Sequence, residues 1–125
     1  MGPEKKFETK VKNFLSVLGI YALGTEKQKM ASRPIGYYEK RFANRNTKKG
    51  LPDMHICIHG ISLEAEIKAD NGIPSNLQIK MCEQIRNSGG HAYIVYPDGF
   101  NDFKEIIMNF IYYKADEKER PIILK

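Results

Sequence analysis

Apolar residues recur at helical spacing in "FETKVKNFLSVLGIYALG", where Phe7, Val11, Phe14, Leu15 and Leu18 share a face and Gly19 or Gly24 offers a stop. The aromatic run Tyr37, Tyr38 and Phe42 in "IGYYEKRFAN" predicts a strand, and "RNTKKG" a loop. "MHICIHG" and "ISLEAEIKA" then read as two strands meeting at His59-Gly60, where glycine supplies the positive φ of a tight hairpin. After the loop "DNGIPS", Ser75 or Asn76 can cap a helix through "NLQIKMCEQIRNSGG", with Leu77, Met81, Cys82 and Ile85 inward and Gly89 as its stop. "HAYIVY" is an apolar run of strand length, "PDG" a turn, and a last helix from Asn101 or Asp102 carries Phe103, Ile106, Ile107, Phe110 and Ile111. The expected order is αβββαβα in one α/β domain over residues 1–125, with a core from about 7 to 111 and a tail from 112 to 125.

The hairpin has a chemical consequence. If Ile58 pairs with Ile61, then His55 lies opposite Glu64 and Asp53 opposite Glu66, with Lys68 two residues along on the same face. The other face reads Met54, Ile56 and Ile58 against Ile61, Leu63, Ala65 and Ile67. Two carboxylates directly opposite one another disfavour joint ionisation, so a partner is required. Lys68 is one candidate. A divalent cation is another, because Mg²⁺ takes one or two hard carboxylates and keeps several waters. An exposed strand face with an ordinary salt bridge is the plain alternative, and His55-Glu64 reads as a cross-strand polar pair.

Charge sharpens the picture. The chain has a net charge of +5, and Lys27, Lys29, Arg33, Lys40, Arg41, Arg45, Lys48 and Lys49 face a single acid, Glu39, in the run before the hairpin. That run is either a solvated loop or a phosphate-contacting surface. Cys57 and Cys82 have neither disulfide-framework nor zinc spacing. No segment approaches the length of a membrane span, and "MGPEKKFETK" lacks an apolar signal-peptide core, so the expected location is intracellular and cytoplasmic, without a membrane partner.

"PD" at Pro52-Asp53 followed by "EIK" at Glu66-Ile67-Lys68 resembles the PD-(D/E)xK nuclease superfamily. Together with "GLPD", the glutamine of "PSNLQIKMCEQIRNSGG" and the following "HAYIVY", it is similar to the virus-type replication-repair nuclease (VRR-NUC) family over about Phe7 to Ile107. The resemblance implies a restriction-endonuclease-like αβββαβ core with a mixed central sheet flanked by helices. It implies metal ligation by Asp53, Glu66 and the carbonyl of Ile67, with Glu8 as an added acidic ligand. Lys68 would position or activate water, and Gln78 would orient DNA or the lysine. Mg²⁺ is the implied cofactor, with Mn²⁺ as a substitute.

The implied activity is hydrolysis of phosphodiesters in branched DNA by a homodimer like a Holliday-junction resolvase, in phage-type recombination or repair. Small chains of this kind recognise shape and phosphate position more than base sequence. An endonuclease acting on flaps, nicks or ordinary duplex is the neighbouring expectation. A non-catalytic DNA-binding accessory module is a different class, and paired carboxylates in the centre of a phosphate-binding surface argue against it.

Overall fold

The computed structural model describes residues 1–42 and 48–125. Arg45, and the far end of the strand expected through Ala43 and Asn44, lie outside the described residues. The first helix, α1 (Pro3–Val17), starts with proline in its first turn and stops before Gly19, whose φ of 82° suits glycine. It is followed by β1 (Tyr21–Ala22), α2 (Glu26–Met30), β2 (Gly36–Lys40), β3 (Met54–Ile58), β4 (Ile61–Ile67), α3 (Asn76–Asn87), β5 (His91–Val95), α4 (Phe100–Tyr113) and β6 (Ile123–Leu124).

The six strands form one mixed sheet in the order β1-β2-β3-β4-β5-β6. β2, β3 and β4 run antiparallel in turn, while β1 joins β2, β5 joins β4 and β6 joins β5, each in parallel. The β3-β4 hairpin turns through His59 at φ 51° and Gly60 at φ 81°, two left-handed residues as a two-residue turn demands. Its register is the expected one: Ile58 pairs with Ile61, His55 with Glu64 and Met54 with Ala65.

Alternation along the strands divides the core. On one face Met54, Ile56, Ile58, Leu63, Ala65, Ile67, Tyr93 and Val95 pack with Phe7, Val11 and Leu15 of α1 and with Phe103, Ile106, Ile107 and Phe110 of α4. The edge of one ring meets the face of the other between Phe7 and Phe100, with centroids 5.3 Å apart. On the opposite face Ala92, Ile94 and Tyr96 pack against Cys82 of α3. Helices therefore flank both faces of the sheet.

Several elements depart from the sequence expectation. β1, α2 and β6 are additions, and the expected "PDG" turn is a single 3₁₀ turn, Pro97–Gly99, leading into α4 one residue early. Leu77, expected inward, is exposed, because the buried row of α3 runs through Ile79, Cys82 and Ile85 instead. The tail does not trail away. Buried Arg120 donates to Asp116 at 2.7 Å and Glu105 at 2.5 Å, setting Ile123–Leu124 beside Ile94 and Val95. Among the described residues no helix is long and apolar enough to cross a membrane.

Candidate functional site

One step beyond the last pair of the β3-β4 ladder, the main-chain N–H of Asp53 donates to Glu66 Oε1 at 3.2 Å, and the N–H of Ile67 donates to Asp53 Oδ1 at 3.3 Å. The carboxylate of Glu66 is thus tied to the backbone of Asp53, and that of Asp53 to the backbone of Ile67, the residue after Glu66. Lys68 N donates to Val95 O on the β5 side, so strand alternation turns both peptide groups of Ile67 toward Asp53. The carbonyl of Ile67 therefore points toward the β3 side of β4, where Asp53 lies.

The surrounding chain fixes this end of the sheet. Gly50, at φ 84°, lies so close to α3 that a Cβ there would stand 2.6 Å from Leu77 Cγ and 3.0 Å from Met81 Cγ. Only glycine lets the "GLPD" segment rest on the helix. The guanidinium of Arg41 donates to Glu64 at 2.6 and 3.1 Å and to Pro52 O at 2.9 Å. Its backbone N–H donates to Asp53 O at 2.7 Å. His55 Nδ1 lies 2.7 Å from Glu64 Oε1, the expected cross-strand pair.

Lys68 Nζ stands 3.8 Å from Glu66 Oε2. The hydroxyl of Tyr96 donates to Gly72 O at 2.7 Å and holds the loop against which the stem of Lys68 passes. Gln78 reaches the same acid from α3. Ser75 caps that helix in a reciprocal box with Gln78, and Gln78 Nε2 donates to Glu66 Oε2 at 3.3 Å.

The electrostatics are uneven. Burial, then the charge of Asp53, pushes the Glu66 carboxyl up to about 7. Burial also raises Asp53, although Lys40 opposes the rise. Burial and mutual repulsion therefore disfavour ionisation of both acids together. Two adjacent hard carboxylates and a peptide carbonyl suit Mg²⁺, which uses few protein ligands and retains water. Among the described residues no three His, Cys, Asp or Glu side chains gather as a metal-holding group.

Glu8 arrives from α1 on the other face of the sheet, nearly buried, and accepts from Lys40 at 2.6 Å and from Lys12 at 3.1 Å. Burial opposes its ionisation, but those two ammonium groups outweigh it and its pKa is lowered. Lys40 also donates to Asp53 Oδ2 at 2.9 Å.

The basic run is thus divided. Lys27, Lys29, Arg33, Lys48 and Lys49 are exposed, whereas Lys40 and Arg41 turn inward to acids. Sequence reasoning missed the inward lysine. The signal was present in "GYYEK": Lys40 shares the parity of buried Tyr38, so it ends a strand on the core face.

No protein-family model matches the chain, and neither a curated protein nor a solved structure shows significant similarity to it.

Proposed function

We propose that this chain is a metal-dependent DNA endonuclease of restriction-endonuclease-like fold and VRR-NUC type, cutting branched DNA in the manner of a Holliday-junction resolvase. The observation that carries the reading is the tethered pair Asp53 and Glu66, with Lys68 3.8 Å from Glu66 and Gln78 donating to it. The succession α1, β2, β3, β4, α3, β5 supports the same family of folds.

Asp53, Glu66 and the Ile67 carbonyl would hold Mg²⁺, which supplies charge neutralisation at the phosphate and a more acidic water. Lys68 would orient the attacking water and stabilise charge developing on the phosphate. Gln78 holds Glu66 in position. Lys27, Lys29, Arg33, Lys48 and Lys49 give the flanking DNA backbone exposed cations. Each chain presents one such centre, so cutting two strands of a junction takes a homodimer. The expected place of action is the cytoplasm of the host cell, as the resemblance to phage-type nucleases implies.

The test is incubation with labelled four-way junction, flap, nicked and linear duplex DNA in Mg²⁺, Mn²⁺ or EDTA, beside Asp53→Asn. Paired symmetric cuts in the junction, lost with EDTA or the variant, are the expected result. Metal-dependent cutting of flaps or duplex alone would keep the chemistry and remove the junction preference. Binding without cleavage under every condition would overturn the nuclease reading.

A further inference from the structure

Strand parity carries the stem of Lys40 along the core face beside Met54, and its ammonium emerges at the end of the sheet between α1 and the start of β3. There a single ammonium bridges Glu8 Oε1 at 2.6 Å and Asp53 Oδ2 at 2.9 Å, with side-chain exposures of 15% for Lys40, 4% for Glu8 and 19% for Asp53. Asp53 is thereby shared. One oxygen faces Lys40, and the other accepts the N–H of Ile67 on the side of Glu66. Glu8 is separated from the Asp53-Glu66 pair by a fixed positive charge, and Lys12 and Lys5 also stand on Glu8 at 3.1 and 3.6 Å.

We infer that Lys40 takes the place a second metal ion would hold, so that the centre binds one divalent cation and Glu8 serves as the anchor of Lys40, outside the ligand set. This rests on the reading of Asp53 and Glu66 as a metal site. An ion entering between Glu8 and Asp53 would meet the ammonium at close range, and like charges exclude one another there. An ion held by Asp53, Glu66 and the Ile67 carbonyl leaves both hydrogen bonds of Lys40 in place. Lys40 is then a positioning residue, which steadies Asp53 from the side opposite the metal.

Mn²⁺ titration of the full chain, followed by calorimetry and by the paramagnetic resonance of free Mn²⁺, reads the stoichiometry directly. The wild type should take one ion. Asp53→Asn should weaken binding by more than the roughly ten- to hundredfold that loss of an outer-shell partner costs, whereas Glu8→Gln should not exceed that range. Lys40→Ser opens the space between the two acids and should admit a second ion. Lys12→Met, which removes a cation from Glu8 without touching Asp53, should leave one.

Two ions in the wild type, a loss in Glu8→Gln equal to that in Asp53→Asn, or a single ion in folded Lys40→Ser would each overturn the inference while leaving the nuclease reading intact. Should Lys40→Ser not fold by circular dichroism, the wild-type count and Glu8→Gln decide. No Mn²⁺ bound by the wild type would remove the metal reading and this inference together.

Discussion

Gln78 donates to Glu66 at 3.3 Å with one end of its amide while the other end accepts the N–H of Ser75 at 2.9 Å. An amide has one donor end and one acceptor end. By engaging the oxygen, the helix cap turns the NH₂ group toward the acid. Local helix chemistry and the orientation of a candidate metal ligand are thus set by the same side chain.

Gln78→Glu separates the two roles. Glutamate completes the capping box as well as glutamine does, so α3 should keep its start. The donor to Glu66 is replaced by a like charge. Cleavage should fall by about ten- to a hundredfold, the usual cost of an outer-shell partner. Far-ultraviolet circular dichroism should be unchanged, and wild-type cleavage rates in the variant would show that the contact has no role.

The Glu66 carboxyl sets the pH behaviour of the metal-free protein. Its pKa rises from 4.5 to about 7 on folding, so between those values the native state binds more protons than the unfolded chain. Stability should therefore fall as pH rises through this window. Melting temperatures in EDTA should show the decline, and Glu66→Gln should flatten it. Mg²⁺ should stabilise most at the upper end, where both carboxylates are free to bind it.

The C-terminal clasp works in the opposite sense. Arg120 and Asp116 have side-chain exposures of only 5% and 4%. Hydrogen bonds from Arg120 and Asn109 outweigh burial and lower the Asp116 carboxyl below its ordinary 3.8. Its contribution is present above that value and is lost as pH falls through the depressed pKa. Arg120→Met leaves Asp116 without its cation, held only by Asn109 and the N–H of Lys118, and should cost up to about 3 kcal/mol in urea denaturation. Asp102→Asn, at an exposed partner 3.6 Å from the same guanidinium, should change stability by less than about 1 kcal/mol.

Exposed and inward cations should separate in their salt response. Each phosphate neutralised adds about 0.9 to the slope of log affinity against log salt on duplex DNA. Replacing Lys48 and Lys49 together by alanine should lower that slope by as many such steps as the two lysines make contacts. Arg41→Ala should leave the slope unchanged and lower the melting temperature, because its guanidinium is committed to Glu64 and Pro52. Filter binding across a salt series distinguishes the two behaviours.

The central strands and three long helices were legible because their apolar residues repeat with the period of the element they form. The neighbouring positions of Asp53 and Glu66 followed from one turn, since His59 and Gly60 allow few registers. β1 and β6 have two residues each, too few for any periodicity, and their pairing is imposed by β2 and β5. Leu77 illustrates a different limit. The face that α3 buries is set by the small patch Ala92, Ile94 and Tyr96, which helix periodicity alone does not locate. Lys40 was counted with the basic run because charge along a sequence does not reveal direction. Its parity with Tyr38 does.

The sheet narrows from seven residues in β4 to two in each outermost strand. Where β6 does not reach, Arg86 donates to Ala92 O at 3.0 Å, and it also binds Arg120 O at 2.6 Å and Pro121 O at 3.1 Å. A guanidinium thus covers main-chain acceptors that would otherwise serve as a template for an incoming strand. This stretch of the β5 edge is consequently closed to strand addition, the route by which crowded or newly made chains convert a sheet into an aggregate.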